Sequence, residues 1–414
     1  MNMVRPLADR RIASLWSAQL LAATGAEFYM VAVIWTASSL IGRDAGFVSA
    51  MQAGALLAGS IFGGIVTDRW PHRSTMIGVN IARALLLLVL SGADLVGPIG
   101  LPMLIVTAVL VALATAVYDP ALQATLPVLV ADGERRHGVN GLFDATRRIA
   151  RILGPGLVAL VGSFVPTGQF FTITAVAFLL SAWAVHRGLS RVAMPDTTSV
   201  RGLEAVRDAV VGGARAMRGH LVLYYGLAAD IVGNVTWSAG LLLGMALHLQ
   251  DTSPTPLTDY GLMMAAYGVG NLASNVYLSG RRPQRPMLWL IGAKLTFGLG
   301  VFLLPFAPDR AWLMASAALA AVNGPLENLA LLHIIQHDFP PHRIAQVYRL
   351  QMCAVFGGHL IGYLAASSLF ALLGLGATTA VLGALTFATG IVGLGLARRL
   401  AGRRVQGPPP GSSP

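Results

Sequence analysis

The chain has 414 residues, of which 55% are hydrophobic and only 11% charged, with a mean hydropathy of +0.67. Soluble proteins carry about 25% charged residues, so this composition excludes a soluble enzyme, a nucleic-acid-binding domain and a disordered chain, and predicts an integral membrane protein. The net charge of +11 comes from arginines and one lysine, Lys294. The single cysteine, Cys353, excludes a disulfide framework and a thiolate metal cage.

A helix needs about 20 apolar residues to cross the ~30 Å hydrocarbon core. Twelve segments qualify, at roughly 12–41, 46–67, 74–97, 101–130, 139–163, 167–187, 221–249, 257–280, 286–307, 311–336, 344–373 and 376–397. Their length and continuity predict helices rather than barrel strands, which would alternate polarity over about ten residues. The first segment is too long for a signal-peptide core and is expected to be retained.

Placing the N terminus inside puts 25 of the 29 basic residues on inner segments and only Arg43 and Arg310 on outer loops. Arg83 and Lys294 fall within spans. This asymmetry predicts a multi-pass protein of the cell (inner) membrane with both termini cytoplasmic.

Between spans six and seven, residues 188–220 hold a polar stretch and then an amphipathic run from Arg201 to Arg218. This reads as a cytoplasmic linker with a helix lying on the inner leaflet. It divides the chain into an N-terminal six-helix half at 1–187 and a C-terminal half at 221–400, followed by a disordered tail at 401–414. The halves read as a degenerate repeat. Arg281 and Arg285 reproduce the spacing of Arg69 and Arg73 at an offset of 212, and Arg83 then maps beside Lys294. Two such halves about a pseudo-two-fold axis are a secondary-transporter layout.

Gly64, Asp68, Arg69 and Arg73 between spans two and three resemble the cytoplasmic signature loop of the major facilitator superfamily, although Pro71 and His72 interrupt its terminal basic cluster. A finer resemblance lies in Tyr118-Asp119-Pro120-Ala121 with Leu126-Pro127, in Ile152-Leu153-Gly154-Pro155-Gly156, and in Ala177-Phe178-Leu179-Leu180-Ser181-Ala182. These are similar to the branch that contains enterobactin-type siderophore exporters and macrolide efflux proteins. The resemblance implies the major facilitator fold and export of small amphiphilic molecules, of siderophore or drug type, by a proton-coupled antiporter that needs no cofactor and works as a monomer. The individual substrate does not follow from it.

Charges inside a membrane are costly, roughly 2.5–3.5 kcal/mol each on insertion scales, and so mark function. Glu27 lies ~23 Å along the first helix from Ile12. A carboxyl there can exchange a proton as the cavity alternates, so Glu27 is the candidate coupling residue; a structural hydrogen bond is the competing reading. Asp68, Arg69 and Arg73 are gate candidates, since pairs between them can lock the halves, and the resemblance adds Asp119 as a partner for Arg73. Positive-inside anchoring competes for Arg69, but anchoring does not call for the acid.

Arg83, ~13 Å in from Ser74, needs a partner or a wet cavity, and Glu27 and Asp119 are candidates. In the second half Lys294 with Glu327 or Asp230 can neutralise one another, and a structural role for Lys294 is favoured. Asn234, Asn271, Asn275, Asn323 and Asn328 line a cavity or bond neighbouring helices, at ~0.6 kcal/mol each in the second case. Gly154, Pro155 and Gly156 predict a hinge in span five, because Pro removes a helix hydrogen bond and Gly permits bending; a fixed kink without motion is the competing reading. His333 and His337 have metal-compatible spacing but no third ligand nearby in sequence, so polar helix-end residues are the favoured reading.

No HExxH motif, paired intramembrane Asp or Ser-His couple supports a membrane enzyme or sensor, and no nucleotide-binding loop supports ATP-driven pumping. Solute uptake by the same fold is the remaining alternative to export.

Overall fold

The structure, a computed structural model, describes residues 5–67, 71–129, 133–162, 164–189, 217–278 and 283–405, with positions 212, 215 and 281. Among the described residues it is helical with no strand. Twelve long helices follow one another: α1 (Arg10–Ile41), α2 (Gly46–Thr67), α3 (His72–Val96), α4 (Leu101–Leu129), α5 (Gly133–Val161), α6 (Gln169–Gly188), α7 (Leu221–Thr252), α8 (Pro256–Leu278), α9 (Pro286–Phe306), α10 (Arg310–His337), α11 (Pro341–Leu373) and α12 (Leu375–Val405). The predicted segments are all present, with ends moved by a few residues, most at α5 and α12. The linker and its amphipathic run lie almost entirely outside the described residues, as does the end of the tail.

Local chemistry sets the helix ends. The Asp9 carboxylate accepts from the Arg11 N–H at 2.8 Å, and that of Asp309 accepts from the Trp312 N–H at 2.8 Å, each satisfying an orphan donor of the first turn. Pro286 and Pro341 open α9 and α11, where a missing N–H is harmless. Gly42 and Gly374 leave α1 and α11 with φ of 53° and 84°, in the left-handed region that favours glycine.

Nine stretches of the described chain are apolar and long enough to cross a membrane, one of them, Arg10–Gly59, running through both α1 and α2. The two long helices outside this count are α5, apolar only over Ile149–Val161, and α8, which carries Asp259, Asn271 and Asn275. These two helices pack on each other. A helix sheltered by protein does not need a fully apolar circumference.

The packing repeats. Helix α1 packs on α5 and α6, and α7 on α11 and α12; α2 packs on α4, and α8 on α10; α3 packs on α4 and α6, and α9 on α10 and α12. The halves meet where α5 lies against α8 and α2 against α11, again a symmetric pair. Small residues allow the approach. A Cβ at Gly261 would stand 2.8 Å from the Pro155 carbonyl oxygen, and one at Gly46 would stand 2.6 Å from that of Tyr363.

Hydrogen bonds from Gln250 Nε2 to Ser38 Oγ (2.6 Å) and from Ser367 Oγ to the Arg43 carbonyl (3.2 Å) join the halves at the end carrying the α1–α2 and α7–α8 turns. One apolar core runs through both halves there. The opposite end of the second half has its own cluster around Leu223, Leu290, Leu331 and Ile335.

Two helices carry features of note. Helix α5 runs through Pro155 as one helix. Helix α7 holds a nine-residue π-helical stretch at Thr236–Gly244 whose Thr236 hydroxyl pairs with that of Thr386 at 2.7 Å.

Candidate substrate and coupling site

Glu27 on α1 is faced by Arg151 on α5, with Nε 3.7 Å from Oε1. Both lie deep within their helices, yet their side chains are 25% and 48% exposed, so the pair borders open space. Glycine brings the two helices together: a Cβ at Gly154 would stand 2.5 Å from the Cβ of Glu27. On the far side, a Cβ at Gly268 of α8 would stand 2.8 Å from the Arg151 carbonyl oxygen.

Aromatic side chains of three helices lie in the region of this pair. Trp35 of α1 lies 6.2 Å from Tyr260 of α8 between ring centroids, and Trp237, in the π stretch of α7, lies 4.7 Å from Tyr267 of α8. Tyr267 and His359 of α11 are within electrostatic range of Arg151, and Tyr260 is within range of Glu27. An acid, a base and several aromatic faces therefore converge from α1, α5, α7, α8 and α11. Tyr260 and Tyr267 are themselves buried and Trp35 and Trp237 half-buried, so the two tryptophan rings and the two charges are what this region offers a substrate.

A second polar cluster is buried inside the C-terminal half. Lys294 of α9 pairs with Glu327 of α10 at 2.5 Å, and Asp230 of α7 accepts from the Asn234 amide at 2.8 Å. Gly233 makes room for the ammonium, since a Cβ there would stand 2.6 Å from Lys294 Nζ. The Asn323 amide, turned to donate, reaches Glu327 Oε2 at 3.2 Å.

In the N-terminal half, Arg83 is buried. It donates to the Asn80 side chain at 3.3 Å and lies 5.0 and 5.2 Å from the ring centroids of Tyr118 and Phe178. That setting is internal to the half. Glu27, a partner considered from the sequence, faces Arg151 instead.

Arg73 donates to the ring and the carbonyl oxygen of His186, at 3.0 and 3.2 Å, and so ties α3 to α6. Asp68, Arg69 and the Asp119 side chain lie outside the described residues. Asn271 does not line a cavity. It is 1% exposed and donates to the Ala321 carbonyl oxygen in the α8–α10 contact. Asn234 is half-buried and lies beside Gly358 of α11. Of the predicted hinge, Gly154 is a packing position against α1, while Gly156 is looser, its added Cβ reaching only Ala265 at 4.0 Å.

Sequence reading missed Arg151 as a site residue. By residue counting it falls with the basic residues of the inner segments, whereas the fold sets it opposite Glu27. The aromatic wall was also missed, since single aromatics in apolar runs carry no signal of their own.

Residues 15–363 match the family model of the Major Facilitator Superfamily. The chain belongs to that superfamily. As a Major Facilitator Superfamily protein it is a transporter rather than an enzyme, embedded as a multi-pass membrane protein that acts on small molecules. Its relatives include the multidrug efflux pump Tap of Mycolicibacterium fortuitum, 24% identical over 92% of this chain and 94% of the relative. The multidrug efflux pump Tap of Mycobacterium tuberculosis is 27% identical over 92% and 91%. Among solved structures, a peptide transporter POT in complex with sulfate superposes with a TM-score of 0.76 at 14% identity, covering 94% of this chain and 95% of that one. A POT family transporter in complex with a thioalcohol-conjugated peptide gives 0.73 at 12%, covering 94% and 96%. At these identities the structural likeness shows the shared fold alone.

Proposed function

We propose that this transporter is a proton-coupled exporter of small amphiphilic molecules, of drug or siderophore type, working by alternating access in the cell inner membrane. Both termini are cytoplasmic in this reading and the protein acts as a monomer. The relatives named as multidrug efflux pumps support export over uptake, and the basic residues concentrated on one set of loops support the orientation.

The observation that carries the reading is the Glu27–Arg151 pair, partly accessible where the halves meet and faced by aromatic rings. On the outer side a proton arriving at Glu27 neutralises the carboxylate and displaces the substrate group held there. On the inner side the proton leaves, the charge on Glu27 returns, and a substrate group competes with Arg151 for it, so proton and substrate occupy the site in turn and cross in opposite directions. The residues at 68, 69, 73 and 119 act as the inner gate, locking that end while the outer end is open.

The test is Glu27→Gln in proteoliposomes. The variant is expected to bind substrate and to catalyse downhill exchange while losing export driven by a pH gradient. Export at the wild-type rate under a pH gradient alone would remove Glu27 from coupling.

A further inference from the structure

Three ionisable groups are buried together in the C-terminal half, and their charges do not balance. Lys294 is 0% exposed, Asp230 6% and Glu327 7%. Lys294 is engaged at 2.5 Å by Glu327. Asp230 accepts from Asn234 with one oxygen; its other oxygen, Oδ2, is buried without a hydrogen-bond partner among the described residues, and Lys294 Nζ and Glu327 Oε1 have only their ion pair with each other. Two carboxyl groups thus share one ammonium in a setting where an uncompensated ion is strongly disfavoured.

Among the described residues the surroundings supply no second cation. Tyr225 of α7 donates its hydroxyl to the Thr389 carbonyl oxygen of α12. Tyr267 of α8 is within electrostatic range of Glu327, and its basic neighbour is Arg151, which faces Glu27 across the junction. On α11, His359 is in range of Arg151 and Tyr363 in range of Tyr260. Helix α12 has no charged residue before Arg398. Asn323 of α10 contributes an amide to Glu327.

We infer that Asp230 binds one proton and that the Asp230–Lys294–Glu327 cluster is a second coupling site, in the half opposite Glu27. A proton on Oδ2 brings the cluster to neutrality. Its route to the space between the halves runs past Asn234, which is half-buried and next to the π stretch at Thr236–Gly244; such stretches recur at functional sites. Helix α7 carries both Asp230 and Trp237, so a shift of α7 against α9 and α10 moves the carboxyl relative to Lys294 as the aromatic wall moves. When Asp230 nears the ammonium the proton leaves, and when it retreats the proton returns. The inference rests on the transporter reading above but not on the role given to Glu27.

The test is pH-dependent infrared difference spectroscopy on the full-length detergent-solubilised protein, in a Glu27→Gln background so that this carboxyl is silent. A buried protonated-carboxyl band is expected at neutral pH and should be lost on Asp230→Asn. Glu327→Gln should abolish the same band, because Asp230 then becomes the partner of Lys294, and this variant serves if the first does not fold. Absence of the band from the Glu27→Gln protein, its survival in both variants, or its displacement by sodium ions at fixed pH would each overturn the inference. If Glu27→Gln retains gradient-driven export while the Asp230 band is present, the Glu27 assignment fails and this one stands.

Discussion

Gly154 on α5 lies directly against Glu27 on α1. A Cβ at Gly154 would stand 2.5 Å from the Cβ of Glu27 and 3.1 Å from the backbone nitrogen of Phe28. Backbone cannot move aside as the end of a long side chain can, so Gly154→Ala has to push α1 and α5 apart. Overpacking of this kind costs about 1–3 kcal/mol. Gly154→Ala is expected to lower the thermal unfolding temperature in detergent and to impair transport, while Gly156→Ala is expected to be tolerated. Equal effects of the two substitutions would favour a hinge over a packing contact.

Lys294 and Glu327 form a buried pair. Lys294→Met leaves the carboxyl without its partner and is expected to destabilise the protein by about 3–5 kcal/mol. Replacing both, as Lys294→Met with Glu327→Gln, should recover a large part of that loss in the same unfolding assay. A double variant no more stable than the single one would show that the pair is not coupled.

The end joined by Ser367 and Arg43 is expected to open during the cycle. With the native cysteine replaced, Arg43→Cys and Ser367→Cys should cross-link under mild oxidation and arrest transport, with recovery on reduction. Gly46→Val should lower the cross-linking yield, because a side chain there meets the Tyr363 backbone at 2.6 Å. Undiminished transport in the cross-linked protein would mean that this end stays shut throughout the cycle.

The orientation is checked by labelling intact cells with a membrane-impermeant maleimide in a Cys353→Ser background. Gly100→Cys, in the exposed turn between α3 and α4, is expected to react, and Val200→Cys, in the linker, to be shielded. The reverse pattern would invert the protein and with it the direction assigned to transport.

Much of the architecture is legible in one dimension. Hydrocarbon thickness sets the length of each span and the cost of exposing polar groups to lipid removes charges from it, so the order and number of helices can be read from apolar runs. Helices α5 and α8 show where this weakens. They pack on each other between the halves, so their polar residues meet protein, and apolarity is a poorer guide to them.

What the sequence by itself determined is therefore the class of protein, the twelve helices, the repeat and the superfamily resemblance of the loop at Gly64–Arg73. It also picked out Glu27, Arg83, Lys294 and Glu327 as costly charges, because that cost depends on depth in the membrane and depth follows from counting residues. Only the tertiary structure decided which charges meet. Arg151 joins Glu27 although 123 residues lie between them, because Gly154 lets α1 and α5 touch, and Lys294 takes Glu327 as its close partner because Gly233 clears the space for its ammonium. Ion pairing depends on a few ångströms between helices far apart in the chain, and no local pattern of residues encodes that distance.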